Sequence, residues 1–412
     1  MKIGQFTDSF YPIVDGVGRV VYQYARMLPA MGDECYVIAP MVDTGYRGGY
    51  PFELIDYTGM PVPGSPQYKA GLALLDRHYS ERIEEVTLDI VHAHTPFFAG
   101  QEALRLAIKH DVPLVGTFHS KYYDDFYKAT RAEVLANIGV RFVVEFYDRC
   151  DEVWAVSESS ARVLADYGYK GEIRVMENGT ELRPIREEDK LAAAAKFGID
   201  LAYPVLLYVG QMNWKKNIGL ILESAAMLKS SGRRLSVVLT GQGPDEQAIR
   251  SKVGELNLSG CVIFTGHVSD NALLDGLYQC ASLFAFPSLY DTFSLVMREA
   301  AAMGTPSVLS RGSAAAESVQ DGFNGLLCDP TPESFAQVVR ENMEDQEKLA
   351  ALGKAARETI PIGWEGVMQK VRARYAELIE NCRTEEMRKR HAILRAKALR
   401  ESKLLNKTRK MD

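Results

Sequence analysis

Residues that could carry charge-dependent chemistry are concentrated in the stretch PSLYDTFSLVMREAAAMGTP, which runs from 287 to 306. Its pattern predicts a strand that ends at Pro287 and, after a short loop, a helix from Thr292 or Phe293 to Met303. The first backbone N–H groups of that helix would have no helical acceptor, and the positive end of the helix dipole lies at the same place. Such a turn is suited to bind a diphosphate. Its residues are Phe293, Ser294, Leu295 and Val296.

The same pattern also fits an ordinary helix whose first turn is capped by Asp291 or Thr292. The two carboxylates of the stretch, Asp291 and Glu299, are eight residues apart. On a helix that separation is about 12 Å of rise, whereas glycosidase carboxylate pairs are closer, at roughly 5–9.5 Å. A two-carboxylate hydrolase is therefore not expected. The two carboxylates are better explained as binding different parts of one extended ligand.

A second candidate anion site is GQMNWKKN at 210–217, directly after an apolar strand predicted at 205–209. The ammonium groups of Lys215 and Lys216 could neutralise a phosphate, although a lysine pair also occurs on an ordinary solvated surface. Gly243, in the turn after the next strand, would let a backbone or a ligand approach closely.

The elements around these residues predict an α/β fold. Short apolar runs alternate with helical patterns, which is typical of βαβ units around parallel sheets. The two halves would be doubly wound and would face each other across a central cleft at the carboxyl ends of the strands. The predicted strands are Lys2–Thr7, Glu34–Ala39, Phe52–Tyr57, Ile90–Ala93, Leu114–Phe118, Glu152–Val156, Ile173–Glu177, Val205–Val209, Leu235–Thr240, Val262–Thr265, Leu283–Phe286 and Ser307–Leu309.

The domain boundaries follow from a pause in this alternation at Glu181–Asp200, which we interpret as a charged helical linker. We predict an N-terminal domain over 1–180 and a second domain over 181–361. A helix over 362–381 is expected to return to the first domain. The stretch Asp124–Cys150 predicts one or two long helices.

Charge is distributed unevenly along the chain. Its 412 residues carry 48 Lys and Arg against 54 Asp and Glu, a net charge of −6, so nucleic acid is not an expected partner. The tail over 382–412 is basic. From Arg383 onward it contains eleven Lys and Arg against four Asp and Glu, so the remaining residues together carry a net charge of −13. Apolar residues of the tail recur at helical spacing, which favours a basic amphipathic helix on an anionic membrane surface. The alternatives are a solvated tail and a helix packed on the acidic body.

Targeting features also bear on location. No run of about 18 apolar residues predicts a membrane-spanning helix, and the N-terminus enters a strand without the pattern of a signal peptide. The six cysteines are scattered without a C-x-x-C pair, so neither a disulfide framework nor a zinc site is expected. These features predict a cytoplasmic protein, peripheral on the inner face of the cell membrane where the tail binds lipid.

Taken in order along the chain, the motifs resemble those of GT-B fold glycosyltransferases of the large retaining family 4. The family motif P-S-x-x-E-x-F-G-x-x-x-x-E-A stands here as PSLYDTFSLVMREA. The supporting motifs are DGVGR (15–19), HAHTP (92–96), GTFHS (116–120), VSESS (156–160), ENGTE (177–181) and YVGQMNWKKN (208–217). The resemblance covers about residues 1–380 and implies two Rossmann-like domains.

The resemblance implies donor-binding roles in the second domain. Glu299 would hold the ribose hydroxyls of the nucleotide, Asp291 would face hydroxyls of the donor sugar, and Lys216 would neutralise charge on the leaving diphosphate. The backbone of 293–296 would hold that diphosphate. The donor-binding set also includes Gln211, Lys215 and Gly243.

In the first domain, the resemblance implies that Gly16 and Gly18 let their loop approach the sugar and phosphate. His119 would line the sugar near the reacting carbon; a satisfied strand-end histidine is the alternative. His94 would approach the acceptor, or else His92 and His94 are packed structurally.

Two positions depart from the family pattern. The first glutamate of the motif is Asp291 here, one methylene shorter, which could alter the choice of donor sugar. Gln211 occupies the place of an arginine commonly found after the strand glycine, so one guanidinium is lost from the pyrophosphate site. Lys215 or Arg311 could compensate.

The expected chemistry is transfer of a hexose from a nucleotide sugar, with UDP-glucose the leading donor. Positive charge develops at the anomeric carbon and negative charge on the departing phosphate, so catalysis is positioning plus leaving-group stabilisation. Retention is implied by the family, and a front-face route is preferred because no well-placed nucleophilic carboxylate is evident. No Asp-x-Asp motif occurs, so neither a metal nor a resident cofactor is expected.

A lipid is the expected acceptor. The segment 120–150 mixes tyrosine and phenylalanine with lysine and arginine, which suits an interfacial surface, although an amphipathic core helix explains it too. It resembles the matching segment of bacterial diacylglycerol glucosyltransferases and phosphatidylinositol mannosyltransferases. The alternatives are a soluble or polysaccharide acceptor, a nucleotide-sugar epimerase of the same fold, and a non-catalytic binding module.

Overall fold

The computed structural model describes residues 1–12, 15–41, 49–62, 65–382 and 393. Within it the chain forms two compact units, one of Met1–Glu177 with the chain from Glu365 onward, and one of Asn178–Trp364. Apart from Ile393, the basic tail predicted over 383–412 lies outside the described residues. None of the described helices has the length and apolar character needed to cross a bilayer.

The described part of the N-terminal unit contains a seven-stranded parallel sheet and a two-stranded antiparallel pair. The strands are β1 (Lys2–Phe6), β2 (Glu34–Ala39), β3 (Glu53–Asp56), β4 (Gly59–Val62), β5 (Ser65–Gly71), β6 (Ile90–Ala93), β7 (Leu114–Phe118), β8 (Glu152–Ala155) and β9 (Ile173–Val175). The order across the large sheet is β3-β2-β1-β6-β7-β8-β9, and β4 pairs with β5. The strands of the large sheet are the seven predicted, whereas β4 and β5 were missed.

The large sheet is covered on its faces by helices, so its strands read as nearly continuous apolar runs rather than alternating ones. The helices of the N-terminal unit are α1 (Gly16–Ala30), α2 (Arg77–Glu84), α3 (Phe98–His110), α4 (Tyr122–Thr130), α5 (Glu133–Tyr147) and α6 (Glu158–Asp166). Ser157 caps α6, because its hydroxyl accepts from Ser160 N at 3.0 Å. The segment 124–150 thus forms two helices.

The second unit repeats this architecture with a six-stranded parallel sheet among its described residues. Its strands are β10 (Val205–Val209), β11 (Ser236–Thr240), β12 (Val262–Gly266), β13 (Leu283–Phe286), β14 (Ser307–Ser310) and β15 (Leu326–Cys328). Its helices are α7 (Glu187–Phe197), α8 (Ile218–Ser230), α9 (Glu246–Glu255), α10 (Asn271–Cys280), α11 (Leu295–Ala302), α12 (Pro332–Asn342) and α13 (Gln346–Thr359). The strand order is β12-β11-β10-β13-β14-β15.

The interpretation of Glu181–Asp200 as a linker is wrong. Its helix α7 packs against α10 within the second unit, and Ala193 is fully buried there. A Cβ on Gly276 would lie 2.1 Å from Asp189 O, so the glycine lets the two helices approach closely. The acidic residues that suggested a linker form the first turn of α7, where they complement the helix dipole.

The last described helix, α14 (Trp364–Asn381), packs on the N-terminal unit. Arg372 Nε donates to Asp33 at 2.7 Å, and Arg374 Nε donates to Glu152 at 2.9 Å. Tyr375 is fully buried beside these two contacts. A segment distant in sequence thereby completes the core behind β1 and β8.

Both sheets reverse their strand order at one place, between β1 and β6 in the first and between β10 and β13 in the second. Loops that leave the carboxyl ends of such neighbouring strands diverge to opposite faces, which opens a crevice where ligands bind. Most motif residues predicted to do chemistry follow these four strands, whereas Gly243 follows β11 and His119 follows β7. The topology therefore brings them to the carboxyl edges of the two sheets.

Candidate active site

In the second unit, the loops after β10 and β13 meet through an ion pair. Lys216 Nζ lies 2.5 Å from Asp291 Oδ1, and both side chains are largely buried. Lys216 ends a short 3-10 turn over Trp214–Lys216, which Asn213 caps by accepting from Lys215 N at 3.0 Å. Asn217 Nδ2 donates to Pro287 O at 3.4 Å and also connects the two loops. The two predicted catalytic residues of this unit are thus in direct contact.

Asp291 engages this lysine with one oxygen only. Its other oxygen, Oδ2, is buried and accepts no hydrogen bond from the residues that the structure describes. A buried carboxylate oxygen without a donor is unfavourable. It is therefore suited to accept a hydroxyl hydrogen bond from a bound molecule, as expected for the residue that faces the donor sugar.

Tyr290 joins the two lysines, and sequence reasoning missed it. Its ring centroid lies 4.5 Å from Lys215 Nζ and 5.5 Å from Lys216 Nζ, both within cation–π range. The signal available was an aromatic residue beside the motif carboxylate. Of the two candidates for replacing the missing arginine, Lys215 lies beside Lys216, whereas Arg311 donates to Asp321 at 2.6 Å.

The helix after β13 begins later than predicted. Its first residue is Leu295, and Ser294 is the N-cap. The prediction that Asp291 or Thr292 caps this helix is wrong. Phe293 therefore precedes the helix instead of starting it. The N–H groups of the first turn, which have no acceptor within the helix, belong to 295–297.

Backbone conformation explains this shift. Ser294 has φ 60° and ψ 75°, in the left-handed region, so helical backbone cannot continue through it. The family motif has glycine here, the residue that adopts this conformation without steric cost. Ser294 is 7% exposed, and its hydroxyl has no hydrogen-bond partner among the described residues. A buried, unsatisfied hydroxyl therefore lies at the positive end of α11.

Phe293 anchors this turn through its side chain. Its ring is buried, with the Arg298 guanidinium carbon 4.1 Å from the ring centroid. Arg298 Nη1 also donates to Ile360 O at 2.7 Å. The side chain of Phe293 therefore fixes the loop, while its backbone leads into the first turn of α11.

Glu299 lies within α11 and is buried, and its Oε2 accepts from the Tyr278 hydroxyl at 3.0 Å. Asp291 lies in the preceding loop, so the helical rise assumed between these two carboxylates does not apply. Arg183 forms a paired hydrogen bond with Asp275 at 2.6 and 2.7 Å. Those bonds, with a smaller contribution from Glu299, raise the pKa of the Arg183 guanidinium.

Gly243 has a packing reason to be glycine. A Cβ there would lie 2.5 Å from Met212 O, because the loop after β11 crosses the loop after β10. Met212 N donates to Gln242 O at 3.1 Å at this crossing. The side chain of Gln211 is exposed, and its backbone oxygen accepts from the Tyr208 hydroxyl at 2.8 Å.

In the N-terminal unit, the glycine loop after β1 leads into α1. Asp15 caps this helix by accepting from Gly18 N at 2.7 Å, and it also accepts from the Ser9 hydroxyl at 2.5 Å. No described atom lies within 4 Å of the position that a Cβ on Gly16 would take. Packing therefore does not require glycine at 16, in contrast to 243.

His119 follows β7 and is 6% exposed. Its Nε2 lies 3.1 Å from His94 Nδ1, and His94 Nε2 lies 2.7 Å from Gln5 Oε1. Burial lowers the pKa of His119 to about 3, so its imidazole is neutral near pH 7. His92 and His94 are fully buried, which agrees with the structural interpretation of both.

Asp8 is a second residue that sequence reasoning missed. Its carboxylate accepts from the Thr95 hydroxyl at 2.6 Å and from Ala99 N at 2.9 Å. Burial raises its pKa to about 6 although both hydrogen bonds lower it. A carboxylate two residues beyond a strand at the sheet's reversal point was the available signal.

Two features concern metals and thiols. Within the described residues, no two cysteines form a disulfide. Within the described ranges, no group of three or more His, Cys, Asp and Glu side chains is placed to hold a metal ion.

Two doubly wound units, each built on a parallel sheet that reverses its strand order once, are the architecture of the GT-B fold. Residues 14–183 match the family Glycosyltransferase Family 4, and residues 189–359 match Glycosyl transferases group 1. The chain is therefore a glycosyltransferase that combines a Family 4 domain with a group 1 domain, as the motifs indicated.

Curated relatives and solved structures agree with this assignment. The chain is 28% identical over 329 residues to Alpha-monoglucosyldiacylglycerol synthase of Streptococcus pneumoniae, which covers 76% of this chain and 71% of the relative. It is 24% identical over 392 residues to the enzyme of that name from Acholeplasma laidlawii, covering 92% and 98%. The structure of Anabaena HepE in complex with UDP and glucose shares the fold, with a TM-score of 0.73 at 19% identity, covering 91% and 99%.

Proposed function

We propose that this enzyme transfers a hexose, with retention, from a nucleotide diphosphate sugar to a hydroxyl of a membrane glycerolipid. UDP-glucose is the proposed donor. The solved relative that shares the fold binds UDP and glucose. The two curated relatives are named as synthases of a monoglucosyldiacylglycerol.

The donor half of the proposal rests on the ion pair and the turn beside it. During transfer the bond from the anomeric carbon to the phosphate oxygen breaks, and a bond to the acceptor oxygen forms. The acceptor proton leaves with the phosphate oxygen in a front-face route. Lys216 and the N–H groups that begin α11 supply positive charge where the phosphate becomes more negative. We therefore propose that no metal or resident cofactor is needed.

Individual residues then have distinct tasks. Asp291 Oδ2 accepts a hydroxyl of the sugar, and Glu299, held by Tyr278, accepts the ribose hydroxyls. Lys215 supplies, through its position on the Tyr290 ring, part of the charge that an arginine at 211 would provide. His119 contacts the sugar as a neutral imidazole.

The acceptor half rests on one observation, an exposed apolar face on α5. Val134 is 71% exposed, and three more apolar residues share its side of the helix at helical spacing. Soluble surfaces rarely present such a cluster without a partner. We refer to this cluster as the α5 ridge; it consists of Val134, Leu135, Ile138 and Phe142.

Aromatic rings connect the α5 ridge to β7, the strand that directly precedes His119. Phe142 stacks on Phe97 with ring centroids 6.5 Å apart, and Phe97 contacts Tyr122 at 5.2 Å. Tyr122 contacts Phe118, the last residue of β7, at 5.7 Å. An acyl chain on the ridge would therefore lead toward the residue proposed to line the sugar.

The proposed location is the inner face of the cell membrane. The ridge would enter the interface through its apolar side chains, and the basic tail over 383–412 would add attraction to anionic lipid. The two contributions differ in salt dependence, because only the second is electrostatic.

The test is transfer of labelled glucose from UDP-glucose into the organic-extractable fraction, with liposomes of anionic lipid and diacylglycerol. Label in the lipid phase supports the donor and acceptor classes together. Ile138→Glu and Phe142→Glu should lower transfer and liposome binding, whereas Leu75→Glu, at another exposed position of the same unit, should not. Truncation after Cys382 should reduce binding mainly at low salt.

Other outcomes would redirect the proposal. Release of UDP with the labelled glucose in a water-soluble glucoside, and none in lipid, would indicate a soluble or polysaccharide acceptor. Conversion of the donor to another nucleotide sugar without any acceptor would indicate an epimerase. Donor binding without turnover, for UDP-glucose and GDP-mannose alike, would indicate a binding module.

A further inference from the structure

Ser294 combines two features that each cost free energy. Its backbone lies in the left-handed region, with φ 60° and ψ 75°, where a residue with a side chain is strained. Its hydroxyl is buried, since the residue is 7% exposed, and has no hydrogen-bond partner among the described residues. Strain and unsatisfied polar groups are concentrated at binding sites, because a ligand can compensate for them.

The position of Ser294 in the fold distinguishes it from the other strained residues. In the part of the chain that the structure describes, every other non-glycine residue with a left-handed φ follows a helix or a helical turn, where such a residue commonly ends the helix. These residues are Asp111, Arg131, Asn217 and Asn257. Ser294 follows no helix and directly precedes α11. It therefore lies where the first helical N–H groups have no acceptor within the helix and the helix dipole is positive.

Asp291, three residues earlier in the same loop, has the opposite requirement. Its Oδ2 is buried and accepts no hydrogen bond from the described residues, while its Oδ1 lies 2.5 Å from Lys216 Nζ. A ligand that satisfies both residues must offer a donor to Asp291 and an acceptor to Ser294. A sugar joined to a phosphate meets both requirements, and the ammonium of Lys216 and the start of α11 balance its negative charge.

We propose that the Ser294 hydroxyl donates a hydrogen bond to a phosphate oxygen of the donor diphosphate. A diphosphate that is esterified at both ends carries no proton at neutral pH, so the hydroxyl is the donor. The identity of this ligand rests on the proposed function, which uses only Lys216 and backbone N–H groups at the phosphate. The hydroxyl gains a charge-assisted bond when the diphosphate binds, so its removal should weaken that binding.

The test is calorimetric titration of the full-length protein with UDP and with uridine. We expect Ser294→Gly and Ser294→Ala each to raise the Kd of UDP by about five- to tenfold. The two variants differ in backbone freedom but both lack the hydroxyl, so an equal rise in Kd identifies the hydroxyl as the cause. Uridine has no phosphate, and its Kd should be the same for the wild type and both variants.

The matched control is Ser307→Ala. Ser307 also has a buried hydroxyl without a partner among the described residues, but it begins β14, at the amino edge of the sheet. This variant should leave the Kd of UDP unchanged. An unchanged Kd of UDP in Ser294→Gly, or an equal loss for uridine, would overturn the proposal and leave the proposed function standing. Failure of the wild type to bind UDP would instead refute the proposed donor, and this inference with it.

Discussion

The ammonium of Lys216 lies 2.5 Å from a carboxylate oxygen of Asp291, although 75 residues separate them along the chain. Lys216 follows β10 and Asp291 follows β13, and these strands are neighbours where the sheet order reverses. The contact therefore results directly from the topology. In the proposed function, it places the cation for the leaving phosphate beside the acceptor for a sugar hydroxyl.

Replacing Lys216 tests this pair. Lys216→Met should lower kcat for glucose transfer by about 10²- to 10³-fold, because a preorganised positive charge at the departing phosphate is lost. Asp291→Asn should have a smaller effect on kcat, since the amide retains one accepting oxygen. Initial rates and KM for UDP-glucose measure both.

The matched control is Lys215→Met, which removes a neighbouring cation that contacts Tyr290. We expect a loss of no more than about tenfold from it, mainly in KM, since a cation–π contact at a half-buried site is worth about 1 kcal/mol. Equal losses from the two lysine variants would contradict the separate role of Lys216.

Ser294→Gly restores the glycine of the family motif. The substitution should stabilise the second unit by about 1 kcal/mol, because glycine adopts φ 60° without strain and a buried hydroxyl is removed. If that hydroxyl binds the donor phosphate, KM for UDP-glucose should rise several-fold. Thermal unfolding and donor titration measure the two effects.

Asn257 provides the comparison for this variant, because it also has a left-handed φ, of 55°, at an exposed turn after α9. Asn257→Gly should leave KM unchanged. An unchanged KM in Ser294→Gly as well would show that its hydroxyl takes no part in donor binding.

Gly16→Ala tests whether glycine is needed at this position for packing within the protein or for close approach of a ligand. No described atom would meet the added methyl group, and alanine favours a helix more than glycine does, so stability should be retained or rise slightly. Activity should nevertheless fall at least tenfold if the loop approaches the sugar and phosphate. Gly366→Ala, on α14 with equally open surroundings, should leave activity intact.

The buried imidazoles predict acid sensitivity. Burial lowers the pKa of His119 from 6.5 to about 3, so between these values the unfolded chain binds a proton that the folded chain does not. The free energy of unfolding should therefore fall as pH decreases below about 6.5, by up to about 1.4 kcal/mol per pH unit for each such imidazole. Denaturant unfolding between pH 7 and 4.5 should show a shallower slope for His119→Gln than for the wild type.

Asp8 should act in the opposite direction. Its pKa rises from 3.8 to about 6 on folding, so in this range the folded chain binds the extra proton and stability decreases as pH rises. Asp8→Asn should remove this contribution and stabilise the protein at pH 7 relative to pH 4, by about 1 to 3 kcal/mol. If Asp8→Asn and the wild type unfold with the same pH dependence, the attribution of a raised Asp8 pKa to burial is contradicted.

Much of the fold was predictable because its signals are local. Most strands of both parallel sheets are rich in apolar residues, and β2, β6, β7, β10 and β13 begin and end where predicted. The pair β4 and β5 and the edge strand β15 were missed, because a short antiparallel pair outside the large sheet and a three-residue edge strand have no long apolar run. The linker interpretation failed because the acidic first turn of α7 resembles a solvated segment. The buried residues that pack this helix are small and give only a weak apolar pattern.

The sequence by itself determined the family, the two-unit α/β architecture and the candidate residues, because apolar periodicity and motif spacing act over a few residues. Only the tertiary structure decided how those residues are paired and oriented. It placed Lys216 against Asp291, gave Ser294 a left-handed backbone, buried Asp8, and brought His94 within hydrogen-bonding distance of both Gln5 and His119. Such relationships depend on which strands become neighbours and on how deeply a side chain is buried. Both depend on contacts between residues that are far apart along the chain.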